Sequence, residues 1–436
     1  MKNTKPHRIR VVTLGCSKNT VDSEVLMGHL RSNNMEVMTD ESTAKADSVV
    51  INTCGFIGDA KEESIDTILH YIRLKQEGKL KRVFVMGCLS ERYKPSLVNE
   101  IPEVDQYFGV NDLAGVIQAL GAEYRESLVG ERYLTTPSHY AYLKIAEGCN
   151  RRCSFCAIPG IRGTHISKPV EQIVKEAEML ADRGVKELLL ISQDLTFYGV
   201  DLYGKTALTE LVRRLSDLNS FDWIRLHYTF PSDFPSDLID LMRERDNICN
   251  YIDIPLQHIS DSILKSMRRG INGAETRALI AGMRERLPQA AIRTAFIVGY
   301  PGETEDDFNE LKLFVAEAKF DRMGVFTYSH EEDTHAFGLE DDVPEEVKQA
   351  RAAELMALQQ VISAKLNTAK IGRTLRVLID RQEGDFYIGR SEFDSPEVDN
   401  EVLIQAGEEL QIGTFYNILV TAADDFDLYG EVVIKP

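Results

Sequence analysis

With 436 residues, 43% of them hydrophobic and 27% charged, the chain has a globular composition and the length of two or three domains. Its net charge of −19 disfavours a phosphate-rich partner and suits a basic protein better than RNA. No apolar run reaches membrane-spanning length. The basic start meets only Val11, Val12 and Leu14 before Gly15 and Cys16, so no signal-peptide core is expected and the reading is cytoplasmic.

Seven cysteines in such a compartment point to metal or catalysis rather than disulfides. Six fall in two sets of three, and Cys249 is left as a small, partly buried residue. In residues 8–120, three β-rich runs (Ile9–Leu14, Ser48–Asn52 and Val83–Met86) each lead into a cysteine beside a glycine. These are Cys16, Cys54 and Cys88. Helical patterns over Asp22–Asn33 and Asp59–Gln76 alternate with the runs, which argues a parallel α/β sheet with its ligand site at the carboxyl ends of the strands. Any one of the cysteines alone reads as a small strand-end residue; together they predict a three-thiolate cluster site. Lys18, Asn19 and Asp22 either line that site or cap the following helix.

Residues 135–345 carry six strand-like runs: Tyr142–Ala146, Glu187–Ser192, Trp223–Tyr228, Tyr251–Pro255, Ile292–Val298 and Gly324–Tyr328. Helical patterns between them (Val170–Arg183, Leu208–Leu218, Asp237–Glu244, Gly273–Arg286, Glu305–Ala318) make repeated βα units, which predict a full or partial barrel with its chemistry at the strand carboxyl ends. The first run leads into Cys149-Asn-Arg-Arg-Cys153-Ser-Phe-Cys156, a CxxxCxxC loop. Three thiolates on a [4Fe–4S] cube leave one iron open to a small molecule. A zinc knuckle wants a fourth ligand close by, and His165 lies nine residues past Cys156.

Gln193 and Asp194 close the second run, and Asp253, Gln257 and His258 lie on or past the fourth. Arg293 on the fifth is suited to pair with a carboxylate of cofactor or substrate. Ile297, Gly299 and the following Tyr-Pro-Gly-Glu-Thr304 read equally as a ligand-contacting element or as a tight turn with Thr304 capping a helix. A helix over Gln349–Ala369 forms a linker, 346–370. Short strands then follow at Leu375–Ile379, Phe386–Arg390, Val402–Ile404, Tyr416–Thr421 and Glu431–Ile434. Residues 371–436 thus read as a small β-barrel, with five Lys and Arg against fourteen Asp and Glu. Two acidic clusters, Asp424/Asp425/Asp427 and Asp394/Glu397/Asp399, offer a dock for a basic protein or a solvated face.

The CxxxCxxC loop resembles the signature of the radical S-adenosylmethionine (SAM) enzymes, and the three segments together resemble the methylthiotransferases. That resemblance implies an α/β multidomain fold: a flavodoxin-like N-terminal domain, a partial (βα)6 radical-SAM barrel and an OB-like TRAM barrel. It implies SAM and two [4Fe–4S] clusters, one on Cys149, Cys153 and Cys156 to cleave SAM, one on Cys16, Cys54 and Cys88 to hold the inserted sulfur. Gln193, Asp194, Arg293, Ile297 and Gly299 would line the SAM pocket, although Gln193-Asp194 departs from the Gly-Gly-Glu of related enzymes. Leu14-Gly-Cys16-Ser17-Lys18-Asn19 and the acidic barrel are similar to the branch that methylthiolates an aspartate β-carbon of small-subunit ribosomal protein S twelve, with a flavodoxin-like electron donor. The tRNA-adenosine branch is the alternative, and a non-catalytic iron–sulfur scaffold is an alternative of another class.

Overall fold

The structure, a computed structural model, describes residues 7–125, 130–407 and 409–433. The first six residues and Ile434, the expected end of the last strand, lie outside them. Among the described residues no helix is long and apolar enough to cross a membrane.

The N-terminal sheet is parallel, with strands in the order Glu36–Thr39, Arg8–Thr13, Ser48–Thr53, Arg82–Gly87, Gln106–Tyr107. This is the 2-1-3-4-5 order of flavodoxin-like folds, whose ligand crevice opens where strand order reverses, beside the first and third strands. Every residue of Ser48–Thr53 is buried, as a centre strand covered by helices on both faces must be. Ile68 and Ile72 of helix Gly58–Gln76 cover one face, and Leu26, Met27 and Leu30 of helix Ser17–Ser32 cover the other.

Two helices depart from the sequence expectation. The first begins at Ser17 rather than Asp22, with Cys16 as its extended N-cap residue. Asn19, a residue that normally favours helix ends, sits inside because its side chain donates to the Leu14 and Thr53 carbonyls (2.7 and 3.1 Å). The second, Cys88–Glu100, contains Pro95 and is kinked at Tyr93, so its helical pattern was hidden.

The central domain is an open barrel of six strands: Tyr140–Lys144, Glu187–Ile191, Trp223–Leu226, Tyr251–Asp253, Ala291–Val298 and Arg322–Thr327. They form two three-stranded parallel sheets joined through a bridge between Ile224 and Ile248. Leu188, Leu190, Ile224, Ile252, Ile292 and Phe296 pack outward on the helices. The alternate residues face the lumen. Glu331 ties this domain to the first by pairing with Lys61 and Arg92, each at 2.9 Å.

Helix Glu345–Thr368 leads into a closed five-stranded barrel. Its connection between Phe386–Ser391 and Val402–Gln405 enters the floor of the open barrel. There Asp394 pairs with Arg322, Asp399 with Arg293 (3.2 Å), and Glu397 accepts from the Tyr140 and Tyr142 hydroxyls (3.2 and 3.1 Å). The acidic cluster Asp394/Glu397/Asp399 is therefore not a dock for a basic partner. These carboxylates are spent on cations and phenols of the same chain, whose buried charges need partners.

Candidate active site

The glycines beside the first cysteine triplet set its geometry. Gly15 has φ +88°, and a Cβ there would lie 2.8 Å from Cys54 Cβ. Gly55 packs so tightly that a Cβ would lie 2.5 Å from the Leu89 Cα. The strand ends thus close on one another, with Cys16 exposed, Cys54 half-buried and Cys88 buried. Asn19 stands among them, its Oδ1 facing the Cys88 thiol at 3.9 Å. Burial pushes the Cys88 thiol up to about 11.

The second triplet lies in the loop beyond the first barrel strand. The Arg151 N–H donates to Cys149 Sγ (3.4 Å), and Arg269 Nη1 donates to Cys153 Sγ (3.3 Å). The guanidiniums of Arg151 and Arg269 stack over the Phe230 ring, 4.2 and 4.1 Å from its centre. Arg151 also donates to Asp194 Oδ2 (2.7 Å), whereas Arg152 is exposed. Ser154 anchors the loop through the Met267 carbonyl (3.1 Å) and the Tyr300 hydroxyl (2.8 Å). Phe155 packs with Ile263, Met267, Tyr300 and Ile297. Burial pushes the thiols of Cys149 and Cys156 up to about 11 and about 12.

Among the described residues no three Cys, His, Asp or Glu side chains close to single-ion distances. The chemistry of the donor sets is nonetheless that of clusters, whose thiolates bind separate irons. Buried atoms without partners among the described residues, Ser192 Oγ and Gln193 Oε1, sit at the end of the second barrel strand, where a polar ligand would satisfy them.

A polar bridge joins the two triplets. Ala157 and Ile161, just past Cys156, pack against Cys88 and Val110. Arg162, in the same short helix, donates to Asn19 Oδ1 (2.6 Å), Asp22 Oδ2 (3.2 Å) and Glu147 Oε1 (3.0 Å). Lys144 pairs with Asp22 and with Glu147 (2.7 Å), and Gln193 donates to Glu147 Oε1 (2.6 Å). Burial opposes the Glu147 charge, but Lys144 and Arg162 outweigh it and hold the carboxyl at about 2.

The residues expected around SAM fall in three places. Gln193 joins the bridge, while Asp194 Oδ1 accepts from the Thr196 N–H and hydroxyl (2.9 and 2.6 Å) and its Oδ2 orients Arg151. Ile297 lies against Phe155. Gly299, at φ +72°, donates to Glu303 Oε2 (2.8 Å) and is roofed by Lys348. Arg293 stands apart, matched by Asp253 (3.0 Å) and Asp399, two carboxylates of this chain. Thr304 does cap the next helix, sharing a capping box with Asp307. Sequence reasoning missed Lys144, Glu147, Arg162 and Arg269. The first three lie within six residues of a CxxxCxxC cysteine, which was the available signal.

The Radical SAM superfamily matches residues 143–315, the Uncharacterized protein family UPF0004 matches 8–109, and the TRAM domain matches 371–433. A ribosomal protein uS12 methylthiotransferase RimO of Flavobacterium johnsoniae is 60% identical over 433 residues, 99% of each chain. A protein of the same name from Bacteroides thetaiotaomicron is 57% identical, again over 99% of each. Among solved structures, the radical SAM methyltransferase TsrM of Kitasatospora setae, with tryptophan and a SAM analogue, aligns with a TM-score of 0.56 at 14% identity. That alignment covers 83% of this chain and 90% of the other, and shows a shared fold.

Proposed function

The chain belongs to the ribosomal protein uS12 methylthiotransferase (RimO) family, and from that membership we infer that it methylthiolates an aspartate β-carbon of uS12 by radical SAM chemistry. Such a C–H is too weakly acidic for acid–base chemistry, so a cofactor must carry the reaction. SAM and two [4Fe–4S] clusters, when bound, supply one-electron cleavage of SAM, hydrogen abstraction, and a place for the incoming sulfur.

The chain's own residues hold and orient those groups. Cys149, Cys153 and Cys156 are assigned to the SAM-cleaving cluster, with Arg269 and the Arg151 N–H donating to their sulfurs. Cys16, Cys54 and Cys88 are assigned to the sulfur-holding cluster. Phe155, packed with Ile297, keeps water from the first. Gln193, Ile297 and Gly299 are assigned to the SAM pocket, with Asp194 acting through Arg151. Arg293 supports the pocket floor through its two carboxylates.

The supporting observation is the bridge through Arg162 and Glu147, which brings both cysteine triplets to one mouth. A non-catalytic iron–sulfur scaffold or carrier has no need of it. The domains divide the work as 8–120 for sulfur, 135–345 for radical chemistry, 346–370 as linker and 371–436 for docking uS12. The setting is the cytoplasm, and the electron donor a flavodoxin-like protein. The tRNA-modifying alternative is not favoured, since the C-terminal barrel is acidic and the relatives are named for a ribosomal protein.

The test is a mass comparison after anaerobic reaction with SAM, sulfide and reductant, with purified uS12 and unmodified tRNA in parallel. A methylthio-for-hydrogen gain on an aspartate peptide is expected; the same gain on tRNA alone would overturn the assignment.

A further inference from the structure

We propose that Lys18 binds the carboxylate of the substrate aspartate. This deepens the function inferred above and rests on it. Lys18 lies in the first turn of helix Ser17–Ser32, two residues past Cys16, and is only 7% exposed. Its Nζ sits 3.0 Å from the centre of the Tyr228 ring. Tyr228 follows the third barrel strand and is held at φ +62°, with its N–H donated to Asp253 Oδ2 (2.8 Å). The ammonium therefore stands at the carboxyl ends of the barrel strands while attached to the helix that Cys16 precedes as N-cap.

Among the described residues, the other buried and half-buried cations around this mouth have partners, while Arg152 is exposed to solvent. Lys144 and Arg162 share Asp22 and Glu147, Arg151 pairs with Asp194, Arg293 with Asp253, and Arg269 with the Pro255 carbonyl and Cys153. Among the described residues, no carboxylate or carbonyl pairs with Lys18. A nearly buried ammonium without a counter-ion is costly, and an aromatic face offsets only part of that cost. The N-terminal end of the helix adds positive potential at the same point.

The chemistry says what completes the site. An aspartate carboxylate carries one negative charge and lies one bond from the β-carbon that reacts. Held on Lys18, it would set that carbon at the barrel mouth, between the Cys16 end of one triplet and the loop of the other. A neutral amide of the same shape would leave the ammonium unpaired, so the site selects aspartate over asparagine.

The test uses the cluster-loaded full-length wild type and its Lys18→Met and Lys18→Arg variants, without reductant. Calorimetric titration compares purified uS12 with uS12 whose target aspartate is changed to asparagine. The wild type should bind the aspartate form about ten-fold tighter. Lys18→Met should bind both forms equally, Lys18→Arg should restore most of the preference, and both variants should keep the iron content of the wild type and, in a separate assay with reductant added, its substrate-free SAM cleavage. A Lys18→Met protein that still discriminates, or a wild type that does not, overturns the proposal. Loss of substrate-free SAM cleavage in Lys18→Met would also overturn it, by placing the charge on the SAM carboxylate. The function inferred above fails separately, when wild type adds no methylthio group to uS12.

Discussion

Arg269 donates to Cys153 Sγ while its guanidinium rests on Phe230, so a positive charge is held rigidly against one candidate cluster ligand. Hydrogen bonds and positive charge at a cluster sulfur stabilise the reduced, more negative state and raise its potential. Replacing Arg269 with Met should lower the midpoint of that cluster, with a roughly ten-fold change in reduced fraction corresponding to about 59 mV. An EPR-monitored redox titration reads this directly, and an unchanged midpoint would remove Arg269 from the cofactor environment. The two triplets separate as sharply. Changing Cys149, Cys153 and Cys156 to Ala should leave one cluster and abolish deoxyadenosine formation. Changing Cys16, Cys54 and Cys88 to Ala should also leave one cluster, keep SAM cleavage and stop sulfur insertion. Iron analysis that still finds two clusters in either triple variant would disprove that triplet's assignment.

The element that couples the domains is helix Glu345–Thr368. Arg351 donates to Glu303 Oε1 (2.8 Å), Lys348 covers Gly299, and Gln359 donates to the Phe320 carbonyl (2.9 Å). One face of the helix thus clamps the turn after the fifth barrel strand and the entry to the sixth. Glu303 is buried, and with Arg351 gone it would be left beside His258 without a full counter-ion. The variant Arg351→Met should lose roughly 3–5 kcal/mol of stability, the cost of stranding a buried charge. Thermal unfolding measures this, and a melting temperature within a degree or so of wild type would mean the turn is held by packing alone.

Across the whole molecule, the small barrel is the floor of the large one. Arg225 is fully buried and donates to Glu187 (2.7 Å) and to the Glu392 carbonyl (2.7 Å), while Arg390 reaches back to Glu187 (2.8 Å). Burial opposes the Asp394 charge, but Arg322 outweighs it and holds the carboxyl below its ordinary value of 3.8. A depressed carboxylate contributes stability that is complete above its unfolded value and lost as the pH falls through the folded one. Melting temperature followed from about pH 6 to about pH 3 should therefore fall more steeply in wild type than in Asp394→Asn. Equal slopes would show that this pair does not set the acid limit.

Much of this organisation was legible in the chain itself. The cysteine spacings and the glycines beside them are local features, and strand and helix periods repeat over a few residues, so the βα order and both triplets could be read directly. Charge partnerships could not. Asp394 and Asp399 look like solvated acids until Arg322 and Arg293, 72 and 106 residues away, are brought against them. Arg162 meets Asn19 across 143 residues, and Lys18 meets Tyr228 only because the first helix packs on the barrel mouth. The sequence by itself determined which ligand types exist and at which strand ends they stand. Tertiary structure decided which charges are neutralised and which one is left for a substrate, because Coulomb and desolvation energies depend on distance and burial, not on position along the chain.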